Sequence, residues 1–235
     1  MIEEMSKPPF SPELIQRARE LNKDKSISGD IYFHPTESNI VVKSIDLSMR
    51  HPLCGVNTRP RSSSEERWLE AYLIRKAKRN NWMLEFANER YELLYSQLKF
   101  RSEQKTPGEE HTLLDLLLCD EYKKNLVILE LKSKRELKKA KEELCTYNRK
   151  ISECKDGLIE AFALDKNIGI FSYIVWPASS REGKWSQDLG KHLGDYGLIE
   201  YEYDKSQKPW EAFRKDEDFN IKFTYRKPAQ RVSLR

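Results

Sequence analysis

The chain has 235 residues, with 42 Lys and Arg against 38 Asp and Glu, so 34% of it is charged while the formal net charge is only +4. Near-cancelling charge together with 5 Trp, 11 Tyr and 9 Phe argues for a folded chain with a modest core, because disorder goes with high net charge and few aromatics. No apolar run approaches the ~18–20 residues of a membrane span, the start MIEEMSKPPFSPE lacks an apolar signal core, and Cys54, Cys119, Cys145 and Cys154 show neither CxxC spacing nor clustering with the four His, which sets aside membrane, secreted-disulfide, zinc and iron–sulfur classes in favour of a reduced, cytoplasmic protein.

Residues 1–60 read as an accessory segment. Ser11-Pro12 is a helix start, and Pro12 to Leu21 can form a short helix. Ile31–Phe33 and Asn39–Leu47 read as short strands, and His51 to Ser64, rich in Pro, Gly and Ser, reads as a linker. From residue 61 to 235 the pattern is that of the main domain. SSSEERWLEAYLIRKAKRN places Leu69, Tyr72, Leu73 and Ala77 at helical spacing. Trp82 to Phe100 is ambiguous, although ELLYSQLKF alternates as a strand does, and EQKTPGEEH is a polar loop. Two short apolar runs follow, Thr112 to Cys119 and Asn125 to Lys132, joined by a polar link that suits an antiparallel hairpin. Ser133 to Ile151 reads as a basic helix, Ile168–Trp176 as a strand, Ser186–His192 as a helix and Leu198–Tyr203 as a strand. The tail from Phe219 carries five basic residues and no acid. The order from Ser62 is α, β, β, β, α, then β, α, β, which predicts an α/β fold with a central sheet flanked by helices.

The acids are in unusual places. In LLDLLLC, side-chain alternation puts Leu113, Asp115 and Leu117 on one face and Leu114, Leu116 and Leu118 on the other. Both faces are apolar, as in a central strand covered on both sides. In LVILELK, Leu126, Ile128, Glu130 and Lys132 share a face opposite Val127, Leu129 and Leu131. A carboxylate in such a run is expensive to desolvate unless it is paired or binds a metal. Two carboxylates on neighbouring strands suit a hard divalent cation, Mg²⁺ or Mn²⁺. A Lys two residues on from Glu130 can orient the attacking water or offset charge on a phosphate. A structural ion pair at a strand end is the plainer account of Glu130 and Lys132.

Asp115, fourteen intervening residues, then Glu130-Leu131-Lys132 on a hairpin before a helix resembles the PD-(D/E)XK nuclease superfamily. The resemblance covers Ser62 to Tyr203. It implies a restriction-endonuclease-like αβββαβ core with a mixed sheet, Asp115, Glu130 and Lys132 as catalytic residues, and a metal held by Asp115, Glu130 and the Leu131 backbone carbonyl. It also implies a further Glu from the preceding helix, where Glu65, Glu66 and Glu70 stand and Glu66 shares a face with Leu69 and Leu73. Ser63-x-x-Glu66 is equally a capping box, and Ser62-x-x-Glu65 is another register; Glu70 reads as a surface residue. Leu114 stands where the family name has Pro. In members that act on single strands or mismatches, Gln and Tyr follow in the next helix; here Tyr147 is in register but Glu143 replaces Gln.

Basic residues concentrate on both sides of these strands, with eight Lys or Arg between Lys123 and Lys141 and seven between Arg59 and Arg79. They make nucleic acid the expected partner, DNA ahead of RNA, with Lys134, Arg135, Lys138 and Tyr147 as candidate contacts. Residues 1–60 would supply substrate contacts, dimer contacts or both, and specificity would come from a homodimer or from protein partners. The expected activity is that of a Mg²⁺-dependent DNA endonuclease in repair, restriction or defence. The rival reading is a catalytically inactive nucleic-acid-binding or scaffold module on the same fold.

Overall fold

The structure is a computed structural model that describes residues 31–33, 40–42, 65–86, 89–100, 112–122, 124–153, 155–162, 164–178, 186–204 and 220–231. Among these, nine strands form one sheet: β1 (Ile31–Phe33), β2 (Ile40–Val42), β3 (Met83–Phe86), β4 (Glu89–Phe100), β5 (Thr112–Asp120), β6 (Asn125–Leu131), β7 (Gly169–Pro177), β8 (Gly197–Glu202) and β9 (Lys222–Lys227). The helices are α1 (Glu65–Arg79), α2 (Leu137–Glu153), α3 (Lys155–Phe162) and α4 (Ser186–Leu193). The strand order is β2-β1-β4-β5-β6-β7-β8-β9, with β3 also paired to β4. The expected helix Pro12–Leu21 and the loops His51–Ser64 and EQKTPGEEH lie outside the described residues.

The hairpin β5–β6 is antiparallel, as its short polar link requires, whereas β6, β7 and β8 run parallel. Each parallel step uses helix as its crossover, α2 and α3 between β6 and β7 and α4 between β7 and β8. Alternation then assigns two buried faces. Leu126 and Ile128 of β6 join Ile170, Ile174 and Trp176 of β7 beneath α2, whose Ala140, Leu144, Tyr147 and Ile151 recur at helical spacing. Val127, Leu129 and Leu131 face the other way and pack with Trp68, Leu69, Leu73 and Ile74 of α1. The fold is therefore mixed α/β with helices on both faces, and β5 and β6 lie inside the sheet.

Several boundaries differ from the sequence reading. The ambiguous Trp82–Phe100 stretch is two strands, entered through Asn81 and Trp82, both with positive φ (50° and 66°), which turn the chain sharply out of α1. The basic helix begins at Leu137 rather than Ser133, because Ser133 and Arg135 of the preceding connection bond to Glu66, Pro177 and Glu200 on other elements. Helix α3 and strand β9 were not anticipated. The first is short, and the second is charge-rich and half-exposed, so neither carries a clear apolar period. Leu114 breaks the expected alternation by packing with Leu117 and Cys119 beneath α2. Cys119 is fully buried, as a thiol within a leucine run should be. Because Ile151 is fully buried in this layer, Ile151→Val is expected to cost about 1 kcal/mol in urea unfolding; no loss would mean that α2 does not pack as described.

Candidate active site

The site lies at the carboxyl ends of the parallel strands, where open α/β sheets commonly bind ligands. It starts with a local change in pairing. The β5–β6 ladder runs from Cys119↔Leu126 to Leu116↔Leu129 and stops there. At the next step the Leu131 N–H donates to Asp115 Oδ2 at 2.8 Å. A side chain has taken the place of a backbone acceptor, which brings Asp115 to the end of β6 beside Glu130.

Glu130 is 2% exposed and Lys132, the first residue beyond β6, is 7% exposed. The Lys132 N–H still donates to the Val175 carbonyl at 2.8 Å, so the end of β7 fixes its backbone. Its ammonium lies 2.5 Å from Glu130 Oε1 and 2.6 Å from Glu143 Oε2. Glu143 comes from α2, one turn before the buried Tyr147. Glu66, in the first turn of α1, reaches across the end of the sheet: its Oε1 accepts from the Ser133 N–H at 2.9 Å and from the Ser133 hydroxyl at 3.1 Å. Glu65 turns aside to accept from the Tyr201 hydroxyl at 2.9 Å, and Tyr201 also lies 3.3 Å from the Lys132 carbonyl oxygen. The first turn of α1 is a favourable place for both carboxylates, since the helix dipole is positive there.

The electrostatics follow from four acids, Asp115, Glu130, Glu143 and Glu66, near one base. Burial raises Asp115 from 3.8 to about 6, opposed by the Leu131 N–H and Lys132 and reinforced by Glu66 and Glu143. Burial and then the Asp115 charge raise Glu130 to about 9 against the pull of Lys132. Desolvation alone would lower Lys132, but the Glu130 and Glu143 carboxylates outweigh it and hold the ammonium above its ordinary value. The Tyr147 hydroxyl is also raised, by burial first and then by the Glu130, Asp115 and Glu143 charges. The cluster thus has more negative charge than its own cation can neutralise.

The structure brings together Asp115, Glu130, Lys132 and Glu66, and puts Tyr147 beside them. Of the three Glu on α1, Glu66 reaches the end of β6, Glu65 is held by Tyr201, and Glu70 is half-buried rather than a surface residue. Lys134 and Lys138 are exposed nearby, while Arg135 is drawn towards β7 and β8. Glu143 was known only as a departure from Gln; its signal was its position four residues before Tyr147, beside the buried stripe of α2. Ser133 and Tyr201 carried no sequence signal.

No protein-family model, no curated protein and no solved structure matches the chain. Among the described residues, no group of three or more His, Cys, Asp or Glu is placed to hold a metal ion, and no helix is long and apolar enough to cross a membrane. A smaller donor set still fits Mg²⁺, which keeps several waters and commonly uses only one or two carboxylates together with substrate phosphate. Glu130 Oε2 is buried without a hydrogen bond of ordinary geometry among the described residues, although the Tyr147 hydroxyl interacts with the Glu130 carboxylate.

The Glu66 clamp is directly testable. Glu66→Ala is expected to destabilise the protein by about 2 kcal/mol, since it removes two bonds to a carboxylate, while Glu66→Gln, which keeps an acceptor, loses less. Equal stability of both variants and wild type in denaturant unfolding would show that the α1–Ser133 contact contributes nothing.

Proposed function

We propose that this chain is a divalent-metal-dependent nuclease, a DNA endonuclease whose core follows the restriction-endonuclease-like αβββαβ plan. The order α1, β4, β5, β6, α2, β7, with β3 and α3 as insertions, supports that reading. The observation that carries the reading is the convergence, within one buried cluster, of Asp115, Glu130 and Lys132 from two strands with Glu66 from the preceding helix. A merely structural ion pair needs one carboxylate, whereas here Glu130 and Glu143 both pair with Lys132 and Asp115 lies close enough to raise Glu130, at a cost in desolvation.

Asp115, Glu130 and the Leu131 carbonyl would hold Mg²⁺ or Mn²⁺, which supplies Lewis-acid polarisation of the phosphoryl oxygens and lowers the pKa of the attacking water. The chain's own residues do the rest. Lys132 stays protonated, so its role is to offset charge developing on the phosphate and to orient the water, rather than to remove a proton. Glu130 and Glu143 hold the ammonium in place, and Val175 fixes the backbone beneath it. Glu66 keeps the Ser133 turn, and with it the Lys132 backbone, at the end of β6.

The test is incubation of the full chain with single-stranded, duplex, branched and mismatched DNA and with RNA, in Mg²⁺, Mn²⁺ or EDTA. Metal-dependent internal cuts in DNA are expected. Cutting of RNA alone would overturn the DNA assignment, and binding without cutting would favour an inactive binding module. Cleavage that is insensitive to EDTA would remove the metal from the reading.

A further inference from the structure

A second charged assembly lies on the same face of the sheet as Lys132, and the mechanism above does not use it. Glu200 of β8 is only 6% exposed although it is an acid within an apolar strand. It forms ion pairs with two arginines, Arg135 from the Ser133–Glu136 connection and Arg226 from β9, the latter at 2.6 Å. Trp176 Nε1 adds a longer contact to Glu200 Oε1 at 3.4 Å. The Arg135 guanidinium is fixed from three sides: its Nε donates to the Pro177 carbonyl at 2.9 Å, its Nη2 meets Glu200, and it lies over the Trp176 ring 5.4 Å from the centroid.

Two features separate this arrangement from an ordinary buried ion pair. One carboxylate faces two guanidinium groups, and both arginine side chains still reach solvent, with exposures of 26% for Arg135 and 48% for Arg226. Arg226 is also the extra residue of a β-bulge: Tyr225 pairs with Ile199 and Lys227 with Leu198, and Arg226 is left between them. Bulges re-aim a side chain at the expense of ladder regularity, and here the side chain concerned is the one that completes the fork on Glu200.

Position gives the ligand. The Lys132 N–H bonds to Val175, Trp176 pairs with Glu200 and Glu200 with Thr224. Lys132, Trp176 and Glu200 therefore lie in one row across β6, β7 and β8, about 10 Å from end to end at two strand spacings. We propose that the Arg135–Arg226 fork is a second phosphate subsite, holding the backbone of the bound DNA strand beside the phosphodiester presented to Asp115, Glu130 and Lys132. A guanidinium offers the planar, multiple-donor face that phosphate oxygens accept. Glu200 and Trp176 hold both groups in place before the strand arrives. The proposal rests on the nuclease reading and adds to it the path of the strand, from the carboxylate cluster across the end of β7 towards the β9 edge.

The experiment measures binding of labelled single-stranded and duplex DNA and of RNA across a range of salt in EDTA, and cleavage in Mg²⁺, for wild type, Arg226→Gln, Arg226→Lys and the triple variant Arg135→Gln/Glu200→Gln/Arg226→Gln. The triple variant removes the buried acid with its partners, so no unpaired charge is left behind. Arg226→Gln is expected to weaken DNA binding several-fold and to reduce the slope of log affinity against log salt by about 1, and the triple variant by about 2. Arg226→Lys keeps the charge and should restore the slope. Unchanged slopes in folded variants of an enzyme that still cuts DNA would remove the subsite alone. Wild-type binding without cleavage, with the slope lost in the variants, would leave the subsite standing and remove the nuclease. Failure of the wild type to bind DNA, including binding to RNA only, would overturn the proposal as stated.

Discussion

Lys132→Met is expected to reduce Mg²⁺-dependent DNA cleavage by about 10³-fold while DNA binding falls much less. A preorganised charge aimed at the transition state is commonly worth two to three powers of ten, and the Lys132 ammonium is held in place between Glu130 and Glu143. Methionine has nearly the length of lysine, so the space is filled and the charge alone is lost. The variant must be somewhat less stable, because the buried Glu130 and the half-buried Glu143 lose their cation, and activity is therefore read per folded molecule. Asp115→Asn should be as inactive for a different reason. It retains an oxygen to accept the Leu131 N–H, so the end of β6 keeps its place, but it removes a charge from the pair proposed to hold the metal. Cleavage by either folded variant at the wild-type rate would sink the site.

The same Asp115 substitution should stabilise the metal-free protein. The folded chain raises the Asp115 pKa from 3.8 to about 6, so it binds that proton more tightly than the unfolded chain does. This group's contribution is therefore complete below about pH 4 and is lost as pH rises through about 6, a difference on the order of 3 kcal/mol. At pH 8 in EDTA, Asp115→Asn should unfold at higher denaturant than wild type by up to that amount, with the gap closing towards pH 4. Mg²⁺ at pH 8 should reverse the order. Wild type gains about 2.7 kcal/mol at one hundred times its dissociation constant, and the variant gains nothing. Chemical unfolding at both pH values, with and without Mg²⁺, reads the whole pattern. A wild-type midpoint that Mg²⁺ does not move at pH 8 would show that the cluster holds no metal. Such a site trades stability for a place where charge can be put to use.

The parts of this site that were legible in the sequence share one property. Asp115 and Glu130 stand out because each is a charge within an apolar strand, and strand alternation assigns each to a face before any coordinates are known. The same rule applied to LIEYE places Glu200 on one face with Leu198, but Glu202 shares that face and makes it read as a polar one. Glu143 and Ser133 were illegible for another reason. Their roles come from the separation in space of α2 and of the turn after β6, and no local pattern encodes that distance. Among the elements, those with a strong period were recovered. Helix α3, two turns long, and β9, charge-rich at the sheet edge, were not, because tertiary pairing rather than local sequence holds them. Arg226 illustrates the limit. In the sequence it was one of five basic residues in a tail, and the bulge that gives it a partner exists only once β9 has paired with β8.

The attachment of α1 has a consequence for when the site exists at all. Glu66 meets Ser133 across 67 residues of chain, and Glu65 meets Tyr201 across 136. Contacts of such long range are slow to form, since loop closure must precede any reward from them. A chain still emerging from the ribosome, or a fragment ending before β8, would lack the second of these anchors. Fraying of one helical turn at Glu65 and Glu66 would also release the Ser133 turn while both buried layers of the sheet stay intact. Competence is thus a late and locally reversible property of this fold, separable from its global stability, and hydrogen exchange at the first turn of α1 would report it.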